Sequence, residues 1–192
     1  DSGIKTLADL KGKRIAVGAP KSGTELNARD IFRGAGMSYK DFGKVEYLPF
    51  GESVELMKNR QLDATLISAG LGVAAVRDLA SAVPIVIIPI PADVVAKIGE
   101  AAYQAGSIPA DTYKGQSTAV PTVAVQNFLV THEGVPAETV YVMTKSMFDN
   151  IDQMTAAHAA AKAINKGTAA TGMPVPLHPG AEKYYREAGL IK

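Results

Sequence analysis

The residues of this sequence best suited to hold a ligand lie in a short turn that begins at Gly18 and reads GAPKSGTELN. An apolar segment at 14–17 precedes the turn and an amphipathic helix follows it. The first N–H groups of such a helix have no intrahelical acceptor, which predicts an anion site. Ser22 and Thr24 add hydroxyl donors, and Gly23 lets a ligand approach the backbone closely. A carboxylate is therefore expected on the backbone amides and hydroxyls of Ser22, Gly23 and Thr24.

The same turn also has a purely structural interpretation. Serine and threonine at a helix start commonly accept hydrogen bonds from backbone amides, and glycine eases the turn. The segment contains neither the phosphate loop G-x-x-x-x-G-K-[ST] nor the dinucleotide motif G-x-G-x-x-G. On the motif alone, a helix cap and a binding loop are both open. Asn27, one helical turn further on, is expected to assist a binding loop.

A second turn of the same kind follows an apolar segment at 64–68. Ser68, Ala69 and Gly70 close that segment, and a helical pattern at 71–80 comes next. In a parallel sheet the carboxyl ends of the strands meet at one edge, where ligands bind. We therefore expect these three residues to line the wall of a cleft opposite the first turn.

Side chains for covalent, acid–base or metal chemistry are scarce. The chain has no cysteine, so disulfides and thiolate chemistry are excluded. His132, His158 and His178 are far apart and have no acidic partner at metal-ligand spacing, and His178 is expected to brace a turn. The nucleophile motif G-x-S-x-G is absent. These observations predict a protein that is not an enzyme and uses no cofactor or metal.

Composition limits the possible partners. Of 192 residues, 47% are hydrophobic, and 20 basic against 19 acidic side chains give a net charge of +1. This balance argues against an extensive nucleic-acid or membrane surface. The longest apolar run, 83–91, is shorter than the ~20 residues of a membrane span and contains three prolines. Because the chain begins without methionine, we expect a processed or truncated product whose targeting signals need not be visible.

The first half of the chain alternates between apolar segments of strand length and helical patterns. Strands are predicted at 13–18, 45–50, 64–68 and 84–90, and helices at about 24–35, at 53–60 with Ser53 as its cap, and at 71–80. This alternation predicts an α/β fold with a parallel sheet covered by helices on both faces. The second half is predicted to contain a helix at 92–104, a loop at 106–120, an extended segment at 120–131, helices from Pro136 through 155–164, and a short helix at 181–188.

Several motifs resemble the TAXI family of TRAP-transporter solute-binding proteins. They run in register over nearly the whole chain: LKGKRIAVG with SGTELNAR, QLDA before SAG, PADTYKGQ running to PTVAV, and the ending PVPLHPGAEKYY. The last two are the most specific, since many two-lobed binding proteins share KGKRIAVG. Many relatives have proline where this chain has Leu71 or Gly72, a minor departure at the second turn.

The resemblance implies the type II periplasmic-binding-protein fold, with a parallel-rich sheet, helices on both faces and two lobes. Residues 1–120 would form the second, ligand-binding lobe. Residues 121–192 would supply a crossover strand and the C-terminal helices of the first lobe, whose N-terminal strands are missing, so that the first lobe is incomplete. Segments near 121–125 and 88–92 would act as hinges.

The resemblance also implies a ligand, partners and a location. The receptor would capture a small organic anion, either a glutamate-like amino acid or a dicarboxylate. It would pass this solute to the membrane permease subunits of an ion-gradient-driven TRAP transporter. The location would be periplasmic, or extracytoplasmic and membrane-tethered in a Gram-positive host. No binding of nucleic acid and no direct membrane insertion is expected.

Two alternatives from other classes remain open at this point. An enzyme on the same fold, such as a transferase, would need a catalytic Cys, His or metal cluster beside the cleft. The effector-binding domain of a transcription regulator would follow a helix-turn-helix in the upstream codons. A signal peptide and a glycine-rich segment there would instead favour the receptor.

Overall fold

The computed structural model describes residues 2–192, apart from the side chain of Ala159. By its internal contacts the chain divides into two compact units. The first runs up to Gln126, and the second is Asn127–Lys192.

A three-stranded parallel sheet lies at the centre of the first unit. Its strands are β1 (Arg14–Ala16), β2 (Lys44–Glu46) and β3 (Ala64–Thr65), in the order β2-β1-β3. In the register, Ile15 lies opposite Val45 on one side and opposite Ala64 on the other. The central position of β1 brings its carboxyl end next to the ends of both neighbours.

Four helices of the first unit alternate with these strands or follow them: α1 (Gly23–Gly34), α2 (Phe50–Lys58), α3 (Ala74–Ala82) and α4 (Ala92–Ile98). Helix α1 connects β1 to β2 on one side of the central strand. Helix α2 connects β2 to β3, which lies on the other side of β1. Because parallel crossovers are right-handed, α1 and α2 lie on opposite faces of the sheet. Accordingly, α1 packs against α4 and α2 against α3. The predicted α/β fold with a doubly covered parallel sheet is confirmed.

The main core of the first unit lies where α1 meets the sheet. The apolar stripe predicted on this helix is buried, and Phe32 is 1% exposed. The Phe32 ring meets the edge of Phe42, with ring centroids 4.8 Å apart. Ile15 and Val17 of the central strand pack into the same cluster. Burial of this face holds α1 in place, and with it the turn that leads into the helix.

The predicted fourth strand at 84–90 is wrong, because these residues have no regular secondary structure and belong to neither sheet. Prolines at 84 and 89 lack the N–H that a strand ladder needs. The amide of Ile90 does donate to the carbonyl of Pro121 at 2.9 Å. Ile88 packs against the main core, so the apolar character of the segment reflects packing without sheet pairing.

The segment after α4 also differs from the prediction. The helix predicted to reach residue 104 ends at Ile98, because Gly99 takes a left-handed conformation with φ 77°. Two strands then form an antiparallel pair, β4 (Tyr103–Ile108) and β5 (Val120–Val125). Residues 106–108 of the predicted 106–120 loop thus belong to one arm of a β-hairpin, and the sheet pairing of the 120–131 segment ends at Val125.

Ser53 does not cap a helix. It lies inside α2, is 1% exposed, and donates its hydroxyl proton to the carbonyl of Phe50 at 2.9 Å. The helix begins earlier, at Phe50, directly after Pro49. Pro49 is its N-cap, with φ −57° and ψ 158°. The strand predicted at 45–50 is correspondingly shorter.

The second unit contains three α-helices in the described residues: α5 (Ala137–Asp149), α6 (Ile151–Ala157) and α7 (Pro179–Glu187). Its core joins α5 to α7, where the parallel rings of Phe148 and Tyr184 lie 5.7 Å apart. His178 caps α7, since its Nδ1 accepts from the amide of Gly180 at 3.2 Å, as the predicted turn-bracing role requires. The alanine-rich stretch does not continue as one helix, because His158 is extended and a 3-10 helix follows.

Candidate functional site

The turn between β1 and α1 depends on glycine at position 18. Gly18 is buried and has φ 97°, a left-handed conformation that side chains rarely adopt. A Cβ atom at this position would lie 2.7 Å from both Cβ and Cγ2 of Thr24. The backbone of Gly18 therefore allows Thr24, in the first turn of α1, to pack directly on the end of β1.

A tight turn carries the chain from Gly18 to the helix. The amide of Ser22 donates to the carbonyl of Ala19 at 3.1 Å, and Lys21 between them has φ 59°. Proline in the second position and a positive φ in the third are typical of a type II turn. Lysine in this conformation is strained by about 1–2 kcal/mol relative to an ordinary backbone conformation. The turn brings Ser22 to the position directly before α1.

Ser22 is the N-cap of α1, so the structural interpretation of this motif holds. Its Oγ accepts from the amide of Glu25 at 3.2 Å. Its own backbone N–H is engaged by Ala19 and is not available to a ligand. The amides of Gly23 and Thr24 lie in the first helical turn, where no intrahelical acceptor exists. The hydroxyl proton of Ser22 remains for donation as well, since the oxygen acts as the acceptor in the cap.

Glu25 lies directly behind this turn and is a residue that the sequence analysis missed. Its side chain is 3% exposed, and its Oε1 lies 2.5 Å from Nε of Arg29 and 3.1 Å from the hydroxyl of Tyr39. Burial, reinforced by the hydrogen bond to Glu25, raises the pKa of Tyr39. Arg29 also lies over the Tyr39 ring, 5.7 Å from its centroid. Arg29 is thus held by its own helix and by Tyr39.

The spacing of Ser22 and Glu25 contained a signal for this residue. Ser-x-x-Glu is the capping-box pattern, which predicts that the glutamate returns to the backbone of the cap. Here the amide of Ser22 is already bonded to Ala19, and the carboxylate turns to Arg29 instead. The pattern therefore predicts the helix start correctly and the partner of Glu25 incorrectly.

The second predicted turn lies next to the first. The side-chain Nδ2 of Asn27 donates to Oγ of Ser68 at 2.8 Å, although the two residues are 41 positions apart. Ser68, Ala69 and Gly70 are all exposed. The ladder continues past β3, since the amide of Leu66 donates to the carbonyl of Ala16 at 2.9 Å. Both turns thus lie at the carboxyl edge of the parallel sheet, as the topology rule predicts.

Tyr103 of β4 completes the contacts of Asn27 and was also missed. Its hydroxyl lies 3.0 Å from Oδ1 of Asn27 and 2.7 Å from Oδ2 of Asp30. Burial, followed by the hydrogen bond to Asp30, raises the pKa of this phenol. The tyrosine is 76 positions from Asn27 in the chain, and the segment was predicted to be helical. No local pattern could have identified this contact.

The loop that joins β4 to β5 supports the second turn from its other end. The hydroxyl of Tyr113 accepts from the amide of Gly72 at 3.1 Å, and the tyrosine is 7% exposed. The Gln116 side chain donates to the carbonyls of Pro109 and Thr118 and holds the loop in shape. These residues belong to the PADTYKGQ segment, so this motif has a structural role beside the 68–70 turn.

Comparison with known families gives one match that spans most of the molecule. The NMT1-like family matches residues 1–189. The chain belongs to the NMT1-like family. This family is periplasmic-binding-protein-like and includes solute receptors, which agrees with the parallel sheet and the strand-end turns described above.

Membership in the NMT1-like family assigns the chain to the solute-receptor type, which is typically extracytoplasmic. No helix in the described residues is long and apolar enough to cross a membrane. Over the same residues, no group of three or more His, Asp or Glu side chains is arranged to hold a metal ion. In this NMT1-like chain, Asn27 and Ser68 are the side chains through which the two strand-to-helix turns meet.

Proposed function

We propose that this chain is a TAXI-type solute receptor of a TRAP transporter and that it binds a small organic anion without catalysing a reaction. The solute is a glutamate-like amino acid or a dicarboxylate. The receptor acts outside the cytoplasm and passes the solute to membrane permease subunits driven by an ion gradient. Family membership and the motifs quoted above support this proposal.

The observation that carries the proposal is the Asn27–Ser68 hydrogen bond. It joins two strand-to-helix turns that are separate in sequence, at the sheet edge where α/β proteins bind ligands. A cap alone requires only Ser22 and Glu25. It gives no reason for a polar contact between α1 and the exposed turn after β3.

A carboxylate at this edge meets three kinds of donor. The first-turn amides of Gly23 and Thr24 point out of the helix, and the helix dipole favours negative charge there. The hydroxyls of Ser22 and Thr24 add side-chain donors. Ser68 accepts its hydrogen bond from Asn27, so its own proton is available to a ligand oxygen. Ala69 and Gly70 carry no bulky side chain, which leaves room beside Ser68.

Calorimetric titration of the chain with L-glutamate and with succinate tests this proposal. The double variant Ser22→Ala/Thr24→Ala is expected to lose tenfold or more in affinity for whichever solute binds. The matched control is Ser81→Ala, which removes an exposed hydroxyl at the far end of α3. An affinity unchanged in the double variant, or the absence of binding by both solutes, would overturn the proposal.

A further inference from the structure

The hydroxyl of Tyr103 lies between two oxygen atoms of α1. It is 2.7 Å from Oδ2 of Asp30 and 3.0 Å from Oδ1 of Asn27, so its single proton is shared in a three-centre hydrogen bond. Both oxygens lie on the same helix, one turn apart. The tyrosine itself comes from β4, an element that is remote in sequence.

The two ends of the Asn27 carboxamide have opposite hydrogen-bonding properties. One end is an acceptor and the other carries two donor protons. With Oδ1 directed to Tyr103, the NH2 group faces Ser68, which it reaches at 2.8 Å. Ser68 then accepts, and its own proton is left over. The opposite orientation would consume that proton, because Ser68 would have to donate to Asn27.

Asp30, the second acceptor of the Tyr103 proton, is ion-paired with an arginine of the same helix. Its Oδ1 lies 2.9 Å from the guanidinium of Arg33, which also contacts Glu100 at 3.3 Å. An ionised carboxylate accepts and does not donate. The Tyr103 hydroxyl therefore donates to Asp30, and the same proton also reaches Oδ1 of Asn27.

We propose that Tyr103 and Asp30 are positioning residues that orient the Asn27 carboxamide so that Ser68 offers its proton to a bound anion. This inference rests on the proposed function. Neither residue touches the ligand. Tyr103 is held by the β4–β5 pairing, in which it lies opposite Val125, and Asn27 is held by α1. The orientation of the amide is thus determined by two fixed elements.

The orientation is tested in the ligand-free chain by nuclear magnetic resonance of the Asn27 side-chain NH2 group, identified by its loss in Asn27→Asp. Both Ser68→Ala and Tyr103→Phe are expected to shift these signals toward those of a free carboxamide. Tyr185→Phe in the second unit is the control and should leave them in place. Signals that respond to Tyr103→Phe but not to Ser68→Ala would place the NH2 group against Tyr103 and overturn the proposal. Signals that respond to neither would also overturn it.

The effect on binding is tested by titrating the same variants with L-glutamate and succinate. Tyr103→Phe and Asp30→Asn are expected to lower affinity about fivefold or more, while Tyr185→Phe binds as the parent chain does. If the parent binds, Ser22→Ala/Thr24→Ala weakens it and Tyr103→Phe does not, the positioning role is wrong and the proposed function stands. If the amide orientation is as expected but neither solute binds, the proposed function fails and Tyr103 has only a structural role.

Discussion

Arg14 and Asp63 are joined by hydrogen bonds in both directions. The carboxylate of Asp63 accepts from the backbone amide of Arg14 at 2.9 Å and from its guanidinium at 3.0 and 2.7 Å. In return, the amide of Asp63 donates to the carbonyl of Arg14 at 3.0 Å. The pair fastens the start of the central strand to the residue before β3, at the sheet edge opposite the turns.

This pair predicts a loss of stability in acid. Hydrogen bonds from the Arg14 side chain lower the pKa of Asp63 to about 2. Because the folded-state pKa is lowered, the stabilisation is complete above the unfolded pKa of about 3.9 and disappears as the pH falls through 2. Water screens the exposed Arg14 side chain, so we expect the pair to contribute only about 1 kcal/mol to the free energy of unfolding. Urea denaturation of Asp63→Asn should show this cost at pH 7 and little of it near pH 2. Glu133→Gln, in an exposed loop, is the control, and an equal cost at both pH values would contradict the prediction.

Gly18→Ala should destabilise the chain by about 3 kcal/mol. The substitution combines a left-handed backbone with a Cβ that would lie 2.7 Å from Thr24. Far-UV circular dichroism during urea denaturation measures the change. Gly51→Ala is the matched control, because its added Cβ meets nothing within 4 Å and lies in a helix. Equal stability of the two variants would show that Thr24 can move away without cost.

Gly23→Ala should weaken solute binding without lowering the stability of the fold. An added Cβ at Gly23 meets nothing within 4 Å, and alanine suits a helical position, so stability should be unchanged or slightly higher. The methyl group nevertheless lies where a carboxylate would approach the first-turn amides. Calorimetry should show weaker solute binding in a variant whose melting temperature is not lowered. Full affinity in this variant would mean that the ligand does not reach these amides.

The buried carboxylate behind the turn predicts an order of stabilities. Arg29→Gln should destabilise the chain more than Glu25→Gln does. The first change leaves a carboxylate that is 3% exposed without its cation, whereas the second leaves an arginine that is 61% exposed and well hydrated. Thermal denaturation of both single variants and of the double variant measures the order. The reverse order would mean that the Tyr39 hydroxyl alone is sufficient to stabilise the buried carboxylate of Glu25.

In the second unit, Gly180→Ala should prevent the close contact between α5 and α7. Its Cβ would collide with the carbonyl of Ala137 and lie 2.8 Å from the amide of Tyr141. Because the obstacle is backbone, it cannot move aside as a side chain would, and we expect a loss of about 3 kcal/mol. Near-ultraviolet circular dichroism reports the packing of the tyrosines in this unit. An unchanged spectrum and unchanged stability would contradict this prediction.

The predictable part of the fold rests on short-range signals. The apolar spacing of α1 and the serine at its start were sufficient to place that helix to within a residue. The proximity of Asn27 and Ser68 was predicted from the rule that the carboxyl ends of parallel strands meet at one edge of the sheet. It required no knowledge of any side-chain contact. Both inferences use physics that acts within one element or one topological unit.

The predictions failed where the structure of a segment depends on residues that are remote in sequence. Residues 84–90 are as apolar as a buried strand, and periodicity cannot distinguish strand pairing from simple packing. The stretch at 103–108 forms β4 only because 120–125 pairs with it. Tyr103 belongs to that stretch, so its contact with Asn27 could not be predicted from a sequence pattern that indicated a helix there. Local sequence therefore indicated the turn before α1 but not the tyrosine that contacts Asn27.

The pairing of Tyr103 with Val125 places the Asn27 contact close to the end of the first unit. The first unit ends at Gln126, one residue beyond this pair. Tyr103 therefore joins the last strand of the first unit to Asn27 of α1 through one backbone pairing and one side-chain hydrogen bond. A substitution that loosens the pairing at Val125 would disturb the Asn27 contact as well, although Val125 is remote from Asn27 in sequence.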